Sequence, residues 1–209
     1  NFGFIKWKGD SYNAKKNGIS TVKNGKIRLT NYVAYFVDGQ YKKTKKYNHA
    51  LYELKNSKQK VCYTKQQIMD GILEHDINSN LVRPLVWLTR EGVEDAILQG
   101  TIFVKMPDNK TRAFNTNRSN GFKHNKKIRD KNKQKTYWFV KEIVQASKLW
   151  NECNIRKNIV FAGDMNNIGF GKIIALYYKN RLSGKEEMRI GILADTGSAF
   201  FSNLYQLDL

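Results

Sequence analysis

Four dipeptides that permit tight chain reversal recur along this sequence, and segments rich in β-forming residues lie between them. They are Asn17-Gly18, Asn24-Gly25, Asp38-Gly39 and Asn120-Gly121. Asparagine, aspartate and glycine accept the positive φ angles that two-residue hairpin turns require. Residues 32–37 and 100–105 are examples of the β-branched and aromatic segments that accompany these turns. The sequence therefore predicts a mainly β protein.

An acidic residue ends one of these apolar segments. Residues 190–194 lead directly into Asp195, which is followed by Thr196, Gly197 and Ser198. Because a charge is not easily buried within the alternating pattern of a strand, Asp195 is predicted to lie at a strand end. The small residues after it predict a tight turn that leaves the carboxylate open to a ligand. A turn aspartate that only bonds its own backbone is the alternative.

Helical signals are fewer than strand signals. Residues 64–73 begin with Thr64 and carry Gln67 three positions later, which is the capping-box pattern. Residues 89–96 form a second short candidate. Residues 136–150 form a third, whose apolar and aromatic side chains are interpreted as core residues. We therefore expect a few short helices in the β framework.

The net charge of +19 predicts attraction to a polyanion. Basic residues gather at 42–46 and again at 123–135, and the second segment is polar enough to be an exposed loop. A solvated surface without a partner is the alternative. Nucleic acid is not expected, because no zinc-finger, helix-turn-helix or ribonucleoprotein pattern accompanies the charge. An anionic wall polymer or a membrane surface is the remaining partner class.

Neither a metal nor a cofactor is expected. Cys62 and Cys153 are the only cysteines and do not form a C-x-x-C pair, so they leave open a disulfide or two free thiols. His49, His75 and His124 lack the spacing of metal ligands. No phosphate-binding loop or nucleophile elbow is present.

The run that begins at Asp195, with a further aspartate at Asp208, resembles the catalytic strand of the membrane-bound lytic transglycosylase A family. A related group of cell-wall-cleaving domains shares its three-aspartate signature. Asp164, after the strand-like residues 161–163, resembles the first aspartate of that signature. Further segments are similar to the family in the same order along nearly the whole chain: residues 30–36, 45–52, 64–73, 93–101 and 120–122. Within the fourth, the family has an apolar strand that ends in a Gln-Gly motif.

The resemblance implies a double-psi β-barrel with a smaller inserted β-domain. The barrel would be built from residues 1–79 and 155–209, and the insertion would span residues 80–154, leaving a groove between the two domains. No apolar run approaches the roughly 20 residues of a membrane helix. The resemblance implies a periplasmic protein of the bacterial envelope, with anchorage to the outer membrane through a segment before Asn1 as an extension of that expectation.

The resemblance also implies a catalytic role for Asp195, with Asp164 and Asp208 as supporting acids. The reaction is cleavage of the β-1,4 bond between N-acetylmuramic acid and N-acetylglucosamine. One carboxyl is enough, because the sugar 6-hydroxyl is the nucleophile and closes a 1,6-anhydro ring. Like charge and nearby apolar side chains would raise the pKa of Asp195 so that it can act as an acid. For Asp164 and Asp208, bonding to backbone amides is the alternative.

The remaining candidate residues would contact the glycan. They are Gln99, Gly100, Thr101, Asn120, Gly121, Thr196, Gly197 and Ser198. The chain departs from the family at Ser198, where a glycine is usual, and at Phe201, which replaces a lysine. Glycan strands of peptidoglycan are the expected substrate. A non-catalytic glycan-binding module on the same fold is one alternative, and a basic nucleic-acid-binding protein is another.

Overall fold

The computed structural model describes residues 27–30, 34–56, 58, 60–75, 78, 80–125, 127–180, 182–197, 200, 204 and 206–209. In this part of the chain eleven strands accompany four short α-helices, which confirms the mainly β prediction. The strands are β1 (Arg28–Thr30), β2 (Tyr35–Asp38), β3 (His49–Leu54), β4 (Val82–Leu88), β5 (Thr101–Lys105), β6 (Thr111–Ser119), β7 (Trp138–Ile143), β8 (Val160–Ala162), β9 (Ile173–Lys179), β10 (Glu186–Asp195) and β11 (Gln206–Asp208). The helices are α1 (Lys65–Met69), α2 (Arg90–Ala96), α3 (Ala146–Arg156) and α4 (Met165–Ile168), with 3-10 turns at Ile72–Glu74 and Lys131–Lys133.

The chain divides into two compact units. The first combines Asn1–Val33 with Asn151–Leu209, and the second is Ala34–Trp150. The units therefore change at residues 33/34 and 150/151. The sequence predicts the changes at 79/80 and 154/155 instead. Each unit has its own sheet and its own apolar core.

The first unit contains a five-stranded sheet in the order β1-β11-β8-β10-β9. Strand β8 pairs in parallel with β10 and antiparallel with β11, and β11 pairs in parallel with β1. The buried side chains of the core come from β8 to β11 and are Phe161, Ile174, Leu176, Leu193 and Leu207. Segments that are far apart in sequence therefore meet in one sheet.

Two glycines allow the close packing of this sheet. A Cβ at Gly191 would lie 2.4 Å from the carbonyl oxygen of Ile159, which is rigid backbone. A Cβ at Gly163 would lie 2.8 Å from Leu207 Cδ2. Because any larger residue would push β8 away from its neighbours, both positions require glycine.

The second unit contains a four-stranded sheet, β2-β5-β6-β7, and the antiparallel pair β3-β4. Its core is the largest apolar cluster and includes the fully buried Leu51, Val86 and Tyr137. The Tyr137 hydroxyl donates to the Ala50 carbonyl at 3.1 Å, so this buried polar group is satisfied.

Two of the three predicted helices are confirmed. Thr64 caps α1 with both hydrogen bonds of the capping box, and Thr89 caps α2 by accepting from the Gly92 amide at 3.0 Å. The third prediction is wrong over residues 138–143, which form β7, because their alternating apolar residues pair with β6. The longest helix among the described residues, α3, has 11 residues. None of the helices in this part of the chain has the length and apolar character needed to cross a membrane.

The turn dipeptides have mixed outcomes. Asp38-Gly39 does not form a hairpin, because β2 pairs in parallel with β5. A Cβ at Gly39 would lie 2.4 Å from Val104 Cγ1, so this glycine serves close packing. Gly121 adopts the expected positive φ of 86°, at the start of a long loop. The dipeptides at residues 17–18 and 24–25 lie outside the described residues.

Candidate active site

Ala162, the last residue of β8, has an aspartate on each side. Asp195 of β10 and Asp208 of β11 both pair with Ala162 in the strand register. Neighbouring strands lie about 4.8 Å apart, so the backbones of the two aspartates are about 10 Å apart, on either side of Ala162. The pairing of β10 with β8 is irregular between Leu193 and Asp195, where β10 has one residue more than β8. This arrangement defines the candidate site.

Asp195 is the final residue of β10, as the sequence predicts. Its Oδ1 accepts a hydrogen bond from the Thr196 amide at 2.8 Å, so it also makes the backbone contact considered as the alternative. The side chain is half-buried, whereas Thr196 and Gly197 are exposed. A polymer could therefore approach this carboxyl from the side of the turn. Ser198 lies outside the described residues.

Thr196 fixes the turn to the neighbouring strand. Its hydroxyl donates to the Gly163 carbonyl at 2.9 Å, and the Gly163 amide donates to the Asp195 carbonyl at 3.1 Å. These two bonds join the end of β10 to the residue after Ala162. The side chain of Thr196, predicted to contact the glycan, thus has a positioning role within the protein.

Asp208 lies in a small hydrogen-bond network. Its Oδ1 accepts a hydrogen bond from the Thr30 hydroxyl and another, at 3.3 Å, from the side-chain Nε2 of Gln206. The same Nε2 also donates to Thr30 Oγ1 at 3.0 Å. Burial raises the pKa of Asp208, the Gln206 hydrogen bond opposes the rise, and the charge of Asp195 adds to it. The sequence gives no signal for Thr30 or Gln206 as part of the site, because Thr30 and Asp208 are 178 positions apart.

Asp164 follows Ala162 by two positions and is only 1% exposed. It caps α4: Oδ1 accepts from the Asn167 amide at 3.2 Å, and Oδ2 accepts from the Asn167 side chain at 2.6 Å. The contact with the Asn167 backbone amide is the one expected if Asp164 has a structural role. A side chain this deeply buried is not accessible to a polymer substrate.

Cys153 of α3 was not singled out by the sequence but lies within electrostatic range of Asp195. Burial raises the pKa of its thiol, Arg156 lowers it, and Glu152 and Asp195 raise it further. Cys153 and Cys62 are both free thiols in the structure. No group of three or more acidic, histidine or cysteine side chains among the described residues is arranged to hold a metal ion.

Five of the predicted glycan contacts belong to the second unit: Gln99, Gly100, Thr101, Asn120 and Gly121. The predicted strand before Gln99 is wrong, because residues 93–96 are the end of α2 and β5 begins at Thr101. The buried residues of α2 pack one helical face on the core, which overrides the strand interpretation. Gly100 is exposed, and a Cβ there would meet nothing within 4 Å.

Asn120 is 4% exposed, and its amide is used within the protein. Its Nδ2 donates to the carbonyls of Tyr63 and Lys135, both at 2.8 Å, and its Oδ1 accepts from the Tyr137 amide at 3.0 Å. Both amide hydrogens are therefore engaged. The contacts of Asn120 serve the loop that it begins.

Comparison with solved structures identifies the fold of this chain as that of the MltA-type lytic transglycosylases. The membrane-bound lytic murein transglycosylase from Agrobacterium tumefaciens matches with a TM-score of 0.62 and 14% identity, over 87% of this chain and 66% of that chain. MltA from E. coli with bound chitohexaose matches with a TM-score of 0.63 and 13% identity, over 84% and 62%. MltA from Neisseria gonorrhoeae matches with a TM-score of 0.62 and 12% identity, over 86% of this chain and 65% of that chain.

The predicted resemblance is thus confirmed at the level of the fold. The chain spans between 62% and 66% of the length of these three structures. No family model matches the sequence, and no curated protein matches it. Because fold alone does not determine function, the activity is argued from the site.

Proposed function

We propose that this chain is a lytic transglycosylase that cleaves the glycan strands of peptidoglycan, with Asp195 as acid and base. The observation that supports this most is the pair Asp195 and Asp208 on either side of Ala162, at strand ends of an MltA-type fold. One such neighbour, MltA from E. coli, was solved with chitohexaose bound. Asp195 and Asp208 are both half-buried and Asp164 is buried, and Asp195 also borders an exposed turn.

The reaction needs one carboxyl in two protonation states. Asp195 first donates its proton to the glycosidic oxygen, and the bond between that oxygen and C1 breaks. The 6-hydroxyl of N-acetylmuramic acid attacks C1, and the Asp195 carboxylate then takes the hydroxyl proton. The products are a chain ending in 1,6-anhydro-N-acetylmuramic acid and a chain with a free hydroxyl. Asp195 is protonated again, and no water is consumed.

Asp208 supports the protonated state in this proposal. Its burial and the nearby Asp195 charge raise its pKa. Repulsion between two carboxylates is mutual, so a charge on one disfavours a charge on the other. Thr30 and Gln206 hold the Asp208 carboxyl in place. Asp164 would act at greater remove, through the turn after β8.

Gln99, Gly100, Thr101 and Gly121 remain proposed glycan contacts, together with Thr196, Gly197 and Ser198. A side-chain amide at Gln99 can both donate to and accept from an N-acetyl group. Asn120 is omitted, because its amide hydrogens are bonded within the protein. The substrate places the proposed protein in the bacterial periplasm, with outer-membrane anchorage as the further part of that proposal.

Digestion of purified peptidoglycan tests the proposal by the identity of the products. We expect muropeptides that end in 1,6-anhydro-N-acetylmuramic acid, detected by mass spectrometry, and none of them with Asp195→Asn. Reducing ends would instead mean hydrolysis with a second carboxylate that activates water. Sedimentation of the chain with peptidoglycan, without any cleavage, would favour a non-catalytic glycan-binding module.

A further inference from the structure

The lysine-rich segment between β6 and β7, residues 120–137, is named here the basic loop. It contains six lysines, one arginine and a single acidic residue, Asp130. A loop of this composition would repel itself in solution and tend to remain extended. Its described residues instead have a defined path, which is held by side chains buried beneath it.

Gln134 organises the loop from inside and is 3% exposed. Its Nε2 donates to the carbonyls of Asn125 at 2.8 Å and Ile128 at 2.6 Å, while its Oε1 accepts from the Asn125 amide at 2.9 Å. Asn120 closes the base of the loop through its bonds to Lys135 and Tyr137. Each bond fixes the backbone and leaves the lysine side chains unaffected.

A second set of contacts comes from helix α1. Lys65, 3% exposed, donates its Nζ to the Lys131 carbonyl at 2.5 Å and forms an ion pair with the equally buried Glu94. The Gln66 side chain donates to the carbonyls of Asn132 at 2.6 Å and Gln134 at 3.0 Å. Six polar or charged residues are buried in the described part of the chain. Three of them, Lys65, Asn120 and Gln134, bond the backbone of this loop, and a fourth, Glu94, pairs with Lys65.

The cations of the loop point away from this support. Five of them are exposed and make no ion pair with any residue that the structure describes: Lys123, Lys127, Arg129, Lys133 and Lys135. Of the loop cations that the structure describes, Lys131 alone forms an ion pair, with Asp95. Because burying polar groups costs free energy, their concentration under this loop indicates that its shape matters. The result is a rigid surface of positive charge.

We propose that the basic loop binds a linear phosphodiester polymer of the bacterial envelope, a location that rests on the proposed function. Lysine ammonium groups are point charges that suit the singly charged phosphates of such a chain. The apolar residues Phe122 and Ile128 are half-buried and Tyr137 is buried, so His124 is the one exposed ring among the described residues of the loop, and no exposed apolar residue there could enter a bilayer. A fixed backbone reduces the entropy lost on binding.

Binding of poly(glycerol phosphate) to the full chain, measured by calorimetry at low and moderate salt, tests this proposal. We expect the variant K123Q/K127Q/K133Q to bind at least about tenfold more weakly and with a shallower salt dependence. The matched control K42Q/K45Q/K46Q removes the same charge from exposed lysines elsewhere and should bind within about twofold of the parent. Gln134→Ala keeps every charge but releases the loop, and it should also bind several-fold more weakly.

Equal weakening in the two triple variants would overturn the proposal, because net charge alone would then explain binding. Tighter binding to a single-stranded oligonucleotide or to anionic phospholipid vesicles than to poly(glycerol phosphate) would overturn it as well. Asp195→Asn should bind the polymer like the parent. A chain that binds the polymer but releases no anhydro products would refute the proposed enzyme and leave this inference standing, whereas digestion without polymer binding would refute this inference alone.

Discussion

The basic loop and the three-aspartate site place polar groups together in opposite ways. Beneath the loop, buried donors and acceptors meet each other, as Gln134 meets the backbone of Asn125 and Lys65 meets Glu94. At Ala162, two carboxylates lie on the strands that flank β8, and the charge of Asp195 raises the pKa of Asp208. The first arrangement stabilises a shape. The second places like charges within electrostatic range of each other, which is typical of sites that perform chemistry.

The largest effect is expected at Asp195, where the comparison predicts loss of rate without loss of stability. Asp195→Asn keeps the shape of the side chain but removes the transferable proton, so cleavage of peptidoglycan should slow by about 10²–10⁴-fold. The melting temperature should stay near that of the parent. Release of anhydro-muropeptides and thermal unfolding measure the two quantities. Asp108→Asn is the control, because this exposed aspartate bonds Tyr41 and Lys110 and should not change the rate.

Beneath the basic loop we expect a loss of stability when one partner of the buried ion pair between Lys65 and Glu94 is removed. Lys65→Met leaves Glu94 charged and buried, which should lower the free energy of unfolding by about 3–5 kcal/mol. Urea denaturation followed by circular dichroism measures it. Lys43→Met is the matched control: its ion pair with Glu74 is exposed and should contribute less than about 1 kcal/mol. Equal losses in the two variants would contradict the assignment of the buried pair.

A smaller effect is expected from the supporting aspartates. Asp164→Asn and Asp208→Asn should each slow cleavage less than Asp195→Asn does, and each should move the alkaline limb of the rate profile to lower pH. Each variant removes a like charge, and repulsion from a neighbouring carboxylate favours the protonated form of an acid. The rate of anhydro-muropeptide release across pH is the measurement. If the limb stays in place in both variants, these aspartates are structural alone.

The smallest effect concerns stability at Asp208. Its pKa is raised in the folded chain, so its ionisation opposes folding: the protonated form is favoured at low pH, and that stability is lost as pH rises through the folded pKa. Asp208→Asn should therefore raise the melting temperature at pH 7, by less than about 4 °C, and the gain should vanish near pH 3. Differential scanning calorimetry at the two pH values tests this. A gain that persists at pH 3 would point to packing instead of charge.

Asp108→Asn is the comparison for Asp208→Asn, because the pKa of Asp108 is lowered in the folded chain and that of Asp208 is raised. Although desolvation acts to raise the pKa of Asp108, bonds from Lys110 and Tyr41 outweigh it and lower the pKa. Its ionisation therefore favours folding above the unfolded pKa, and the contribution is lost as pH falls through the folded pKa. The asparagine variant should gain nothing at pH 7.

Local signals in the sequence were sufficient for the parts of the fold that local chemistry determines. The capping threonines Thr64 and Thr89 begin real helices, and Asp195 ends a real strand. Periodicity over residues 136–150 was ambiguous between helix and strand, and pairing with β6 decided it. Short apolar stretches carry this ambiguity until their partner is known.

The surroundings of Asp208 could not be predicted from local signals in the sequence. Thr30 and Gln206 bond Asp208 only because β1 and β11 pair across the sequence, and nothing near either residue indicates that contact. Gln134 likewise looks like an ordinary loop residue until its three internal hydrogen bonds are seen. Polar residues within a lysine-rich stretch carry no signature that separates a buried anchor from a solvated side chain.

Strand β11 lies between β1 and β8, and the contact of Thr30 with Asp208 spans 178 positions. Closing so long a segment costs entropy before any pairing is gained, and chains with such distant contacts fold slowly. We therefore expect β11, which carries Asp208, to join the sheet late in folding, after the hairpin of β9 and β10, which carries Asp195, has formed. Until then the carboxylates are separate and the chain has no catalytic pair, so activity should appear during refolding only after the slowest phase.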